Sequence, residues 1–353
     1  MIGFKPKPIG TTVFFAVLFF ALPVCAAPQS ARQIFNTGLA DYKQRNYEVA
    51  ISRFNQVIRL NPNHHEAYFY LGHCHFEQEK FEPAADAYRH AARIKPDFFE
   101  ALVRLGNALE KLGRTDEAVE AIQKAVAARP NSALGHYELG EVLRGQKKFA
   151  AAIESFNQAL RLEPNHARAQ TGLGISFLNL NRAAEAEKAL QKAIALTPRS
   201  ADAQRGLAEL YFAQKRHAEA KEKYQEALRL EPDHPDANFG LANIYFAAGE
   251  FETSLPLYRK ATQARRFWVE AMTRLGDNYF ALKDFRVAAP IYQDVLELNK
   301  RNIEALYGLG FCYVYVNNKL AAQQQHDRLR PLAPKLAEQL QKAINRQFSG
   351  SGR

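Results

Sequence analysis

A 34-residue period runs through this chain without a slip, and it decides what the chain can fold into. It is clearest over 133–166, ALGHYELGEVLRGQKKFAAAIESFNQALRLEPNH. With these positions called places 1 to 34, Leu139 and Gly140 fall at 7 and 8, and Leu143 falls at 11. Ala152 is at 20, Phe156 at 24, Ala159 at 27 and Pro164 at 32. Places 4, 7, 8 and 11 share one helical face, and 20, 24 and 27 share another. Gly145, Lys147 and Lys148 make a turn between them, and Pro164 stops the second helix. Such a hairpin of helices A and B cannot hide its own apolar face. It must stack on copies of itself.

The copies are present in register. Places 7 and 8 recur as Leu71-Gly72, Leu105-Gly106, Leu173-Gly174, Leu207-Ala208, Leu241-Ala242, Leu275-Gly276 and Leu309-Gly310, with Thr37-Gly38 in the first copy. Place 20 is alanine in every copy except Ser254. Place 32 is proline except at Arg266 and Lys300. Small residues at 8, 20 and 27 let helix backbones approach closely, while a bulky residue at 24 fills the gap beside them. This pattern closely resembles the tetratricopeptide repeat family. Nine repeats are expected, at 31–64, 65–98, 99–132, 133–166, 167–200, 201–234, 235–268, 269–302 and 303–336. The resemblance implies an all-α, right-handed α-solenoid whose A helices line a concave groove. It also implies a binding scaffold and not an enzyme, needing no cofactor.

At 353 residues, length alone suggests two domains, but a solenoid grows one continuous core by addition. The formal charge is +10. Arg53, Arg59, Arg93, Lys147, Lys148, Lys192 and Arg229 are interleaved with acids, as on a solvated outer face. Lipid headgroups or acidic polysaccharide are the anionic surfaces such a charge suits, and nucleic acid is not expected. Of the three cysteines, Cys74 and Cys312 both occupy place 10, seven repeats apart and beyond disulfide reach. They read as small buried residues.

The leader sets the expected compartment. Lys5 and Lys7 precede an apolar run from Val13 to Leu22, followed by Pro23-Val24-Cys25-Ala26-Ala27. That order reads as a signal peptide over 1–26, cleaved after Ala26, which removes two of the positive charges. The run is short for a membrane span. An uncleaved anchor, or lipoprotein processing at Cys25, is the alternative. The mature protein is then exported, to a bacterial periplasm.

Several departures from the period stand out. Asp97, Asn131, Asn165 and Asp233 follow the place-32 proline and suit capping of the next helix. Pro256 and Pro290 both sit at place 22, where each removes a helix hydrogen bond or makes helix B start late. The junction Arg265-Arg266-Phe267-Trp268 holds the sole tryptophan. Lys335 to Arg346 reads as a capping helix with Leu336, Leu340, Ala343 and Ile344 on one face. Residues 347–353 are expected to be a disordered tail.

By the resemblance, helix A places 2, 5, 9, 12 and 13 face the groove. Place 12 includes Phe212, Phe246 and Phe280, an aromatic stripe through repeats 6 to 8. Place 5 includes Phe35, Phe69, Tyr137, Phe239 and Tyr307, and Asn243 and Asp277 at place 9 lie beside the stripe. Exposed aromatics in series suit peptide side chains, apolar helices or sugar rings, although the family also packs aromatics at these places. The family's carboxylate clamp for a chaperone tail is not assembled. Val103 and Phe239 stand where a base is needed beside Asn107 and Asn243, and Glu100 and Glu270 occupy place 2. His73, Glu77 and Glu66 share a face, but no tight His/Cys spacing accompanies them, so no metal is assigned. No G-x-S-x-G and no G-x-x-x-x-G-K-[ST] occurs, and no catalytic residue is nominated. The reading is a scaffold in the bacterial envelope that binds a protein or peptide in its groove, within secretion, pilus or exopolysaccharide assembly. The alternative is a carbohydrate- or lipid-handling protein using the same aromatics and the basic surface.

Overall fold

A computed structural model describes Gly3 and residues 30–349. The expected leader with its cleavage site, and residues 350–353, lie outside the described residues. Within them the chain is nineteen α-helices and no strand. It divides into two compact units that meet at Ile94 and Lys95. The first holds α1 (Ala31–Lys43), α2 (Tyr47–Leu60), α3 (His65–Glu77) and α4 (Phe81–Ile94). The second holds α5 (Phe99–Lys111), α6 (Thr115–Ala128), α7 (Ala133–Gly145), α8 (Phe149–Leu162), α9 (Ala167–Asn179), α10 (Ala183–Leu196), α11 (Ala201–Ala213) and α12 (His217–Leu230). It continues through α13 (Pro235–Ala247), α14 (Phe251–Ala264), α15 (Val269–Ala281), α16 (Phe285–Leu298), α17 (Ile303–Tyr315), α18 (Lys319–Leu329) and α19 (Pro334–Phe348). Inside each unit every helix packs on the next, as stacked hairpins must.

One backbone conformation recurs in all nine A-to-B turns. Place 15 is left-handed at Arg45, Glu79, Gly113, Lys147, Asn181, Lys215, Gly249, Lys283 and Asn317. This residue reverses the chain after helix A, and in the fourth repeat Lys148 N–H bonds back to the Leu143 carbonyl at 2.9 Å.

The helix caps fall one residue later than the sequence suggested. In the fourth repeat, Pro164 and Asn165 are the middle of a turn closed by His166 N–H on the Glu163 carbonyl. Asn165 is therefore spent in the turn, and place 34 becomes the N-cap. Ser30, Ser132, Ser200 and Asn302 cap through a side-chain oxygen. His64, His166 and His234 cap through Nδ1, which accepts from the backbone N–H of Ala67, Ala169 and Ala237 at 3.2, 3.2 and 3.4 Å. His166 also stacks on Tyr137, with ring centroids 4.9 Å apart. His166→Ala is expected to lose about 1 kcal/mol of stability, and His166→Ser to recover the part due to the cap. Thermal melts of the two variants separate capping from stacking.

Close approach of the A helices depends on glycine. Phe156, at place 24, is fully buried between two of them. A Cβ on Gly140 would stand 2.6 Å from its ring, and one on Gly172, in the next repeat, would collide with the same ring. Tyr292 sits likewise between Gly276 and Gly308, and Leu190 between Gly174 and Gly206. The place-24 residue is thus a pin driven between consecutive A helices.

Pro256 and Pro290 do not delay their helices. Both lie inside continuous helices that begin five residues earlier, at Phe251 and Phe285. Each removes one hydrogen bond and the helix runs on. The seventh and eighth repeats instead carry polar groups in the core, where buried Asn278 donates to Ser254 Oγ. At the C-terminus the last helix runs past the expected end at Arg346 and takes in residues 347 and 348, which the sequence put in the tail. α19 lays Ala337, Leu340 and Ile344 against α17 and α18.

Candidate functional site

The place-12 aromatics sit on the last turn of helix A, and place 17 opens helix B across the tight turn. Their rings therefore meet edge to face: Phe212 with His217 at 5.3 Å, Phe246 with Phe251 at 5.2 Å, and Phe280 with Phe285 at 5.2 Å. Each stripe ring is consequently half-buried, with one edge anchored and one face left over.

The structure separates the six candidates from the sequence. Phe246, Phe280 and Asp277 come together around one cavity of about 460 Å³. Phe212 packs against the core of repeats 4 to 7 and takes no part in that cavity. Phe239 packs tilted against Trp268, with ring centroids 4.6 Å apart, and the Arg265 guanidinium lies over the tryptophan ring, 4.4 Å from its centre. Arg265 also pairs with both carboxylate oxygens of Asp236, at 3.0 and 2.7 Å. All four residues belong to repeat 7, so that corner ties the end of the repeat back to its own helix A. Asn243 Oδ1 accepts from the Tyr258 hydroxyl at 2.7 Å, so it steadies the pin of its own repeat.

The cavity belongs to repeats 7 to 9. Phe246 and Phe280 form one wall, and Tyr307, Phe311 and Tyr315 from α17 form the other. Tyr307 and Phe311 meet at 4.8 Å, and Tyr315 lies 5.9 Å from Phe280. The polar side is a chain of charges. Tyr292 donates to Asp277 Oδ1 at 2.8 Å, Arg274 Nη1 donates to Oδ2 at 2.9 Å, and Arg274 reaches Glu304 at 3.7 Å. Burial raises the Asp277 carboxyl above its ordinary range, against the opposing pull of Tyr292 and Arg274. Such a site offers ring faces to an apolar group and a guanidinium with carboxylates to orient it.

Phe311 and Tyr315 were not singled out from the sequence, although the signal was there. They fall at places 9 and 13, four and eight residues after Tyr307, on one face of a helix.

Among the described residues no cluster of three or more His, Cys, Asp or Glu could hold a metal ion, and no helix is long and apolar enough to cross a membrane. Burial pushes the Cys74 and Cys312 thiols up to about 12, which keeps both protonated and unreactive.

Stacked hairpins at a 34-residue period, with small residues at the crossings, meet three matching family profiles. Two are tetratricopeptide repeat profiles, over 35–98 and 269–302. The third is the C-terminal domain of cilia and flagella-associated protein 70, over 98–266. The chain is a tetratricopeptide repeat protein. Between 35 and 302 these profiles follow one another with almost no gap, in agreement with the period there. No curated protein matches the sequence. Among solved structures, a tetratricopeptide repeat protein from Parabacteroides merdae is similar at a TM-score of 0.55 and 16% identity, covering 70% of this chain and 98% of that one. Pseudomonas aeruginosa pilF is similar at a TM-score of 0.50 and 22% identity, covering 59% of this chain and 94% of that one. At these identities the likeness is one of fold. The fold of this tetratricopeptide repeat protein is that of an interaction scaffold.

Proposed function

We propose that this protein is an exported scaffold that holds a protein partner by a peptide segment laid in the groove of repeats 7 to 9. An apolar side chain of that segment fills the cavity between Phe246, Phe280 and Phe311. The cavity is the observation that carries this reading. Half-exposed rings converge there from three successive repeats, beside Arg274, Asp277 and Glu304 for the segment's polar backbone. The compartment rests on the leader: Lys5 and Lys7, then an apolar run, then a small-residue site before Ala27. Envelope assembly, by secretion, pilus or exopolysaccharide machinery, is the setting this compartment suggests.

The test compares the intact protein with Phe246→Ala/Phe280→Ala and with Phe212→Ala in affinity capture from envelope extracts. The double variant should keep its helical content and lose the captured protein by about tenfold or more, while Phe212→Ala captures as before. If all three proteins capture alike, the cavity is packing and the reading falls. If the intact protein instead binds glycans or liposomes and no protein, the occupant is carbohydrate or lipid.

A further inference from the structure

A second cavity, of about 110 Å³, lies on repeats 4 to 6, and its chemistry is different. Arg144, Arg168 and Arg205 line it together with Tyr137, Glu141 and Asp202. The three guanidiniums come from places 12, 2 and 5 of successive repeats, which the solenoid turns to one side. Two of them are partly answered. Arg144 donates to both oxygens of Glu141 at 3.2 and 2.8 Å, and Arg205 Nη1 donates to Glu209 at 2.6 Å.

Hydrogen-bonding capacity is left over on two of the arginines that line the cavity. Arg205 is 9% exposed, and its Nε has no hydrogen-bond partner, with an Asp202 oxygen 3.8 Å away. A buried guanidinium N–H left unpaired is costly, and an incoming acceptor removes that cost. Arg168 lies 4.8 Å from the centre of the Tyr137 ring and makes no ion pair among the described residues, so its N–H edge is open. The same Asp202 oxygen is shared with His234 Nε2, at 3.2 Å. Arg144, Arg168 and Arg205 line the cavity with the carboxylates of Glu141 and Asp202, and Glu209 on Arg205 makes a third carboxylate beside them.

We propose that this cavity is an acidic subsite, in which Arg168, Arg205 and Arg144 receive the side-chain carboxylate of an aspartate or glutamate within the partner's peptide. The proposal rests on the peptide reading above and adds a charge requirement that the aromatic cavity does not impose. Planar guanidiniums suit a carboxylate bidentately, and the small volume admits a carboxylate head and little more.

The experiment selects a random peptide library, displayed without free C-termini, on the intact chain, on Arg168→Glu and on Arg144→Gln. Arg168 is exposed, so its reversal leaves the fold in place, and circular dichroism checks this. Peptides enriched on the intact chain should share an acidic residue. Replacing that residue by its amide should weaken binding about tenfold, and Arg168→Glu should select basic residues at the same position. Enriched peptides with no shared acid overturn the subsite and leave the peptide reading standing. Acidic peptides that bind both arginine variants unchanged also overturn it, as does a synthetic peptide that binds only through a free terminal carboxylate. No enrichment on the intact chain sinks the peptide reading itself.

Discussion

Truncating Tyr292 to alanine is expected to cost about 3–5 kcal/mol and to melt repeats 8 and 9 ahead of the rest. The ring is fully buried, and added Cβ atoms on Gly276 and Gly308 would stand 2.7 and 2.5 Å from it. Gly276 and Gly308, which flank the ring, bring no side chain to close the gap. Truncation therefore leaves a cavity that backbone movement must fill. Hydrogen exchange should show lost protection over α15 to α17 and near-native protection over α7 to α10. Tyr292→Phe isolates the hydroxyl. It removes one of two donors to Asp277, at about 0.5–1.5 kcal/mol, while Arg274 keeps the other bond at 2.9 Å. A Tyr292→Ala protein that melts with the intact one would show that the gap closes by itself and that the pin is not structural.

Ending the chain after Ala333 should be nearly as damaging. α19 buries Leu340 and Ile344 completely, and full burial of two such side chains contributes about 3–6 kcal/mol. Leu340 fills the hollow over Gly310, the place that a pin occupies in other repeats. Without it Leu309, Leu329 and the face of α17 meet water, and the last repeat should bind a hydrophobic dye and lose protection against exchange. Restoring α19 directly behind Ala333 should reverse both effects. A truncated protein that neither binds dye nor loses protection would mean that repeat 9 is stable uncapped.

Most of the fold was legible because the period fixes it. Once Leu139, Gly140, Ala152 and Phe156 are aligned with their copies, helix faces, turns and stacking follow. The caps were misplaced because Asn165 has the better capping side chain, yet turn geometry gives it a middle position and hands the cap to His166. Histidine is a poor sequence signal for a cap, since only its neutral Nδ1 can accept. The candidate site was half legible. Equal spacing made Phe212, Phe246 and Phe280 equivalent, but what surrounds each ring is set by the next repeat. Phe280 is followed by Phe311 and Tyr315 at places 9 and 13, and Phe246 by Asp277 and Ala281, all of which line the cavity. Phe212 is followed by Asn243 and Ala247, which do not close a wall. The arginine cavity was missed because its three residues come from different places in three repeats, and no single-repeat pattern contains them.

The pins carry a consequence for how such a chain can change. Phe156 lies sixteen residues after Gly140 and sixteen before Gly172, and Tyr292 stands in the same relation to Gly276 and Gly308. The two glycines that admit one ring thus belong to different repeats. A larger residue at either glycine, or a smaller one at the pin, disturbs two repeats at once, so neighbours must drift as pairs. The inherited module is 34 residues long, but the mechanical link spans the seam between modules. Cutting the chain at repeat boundaries, the natural choice for building hybrids, severs every such link it crosses. Grafted segments should join well only where the incoming helix A brings its own glycine sixteen residues beyond the resident pin.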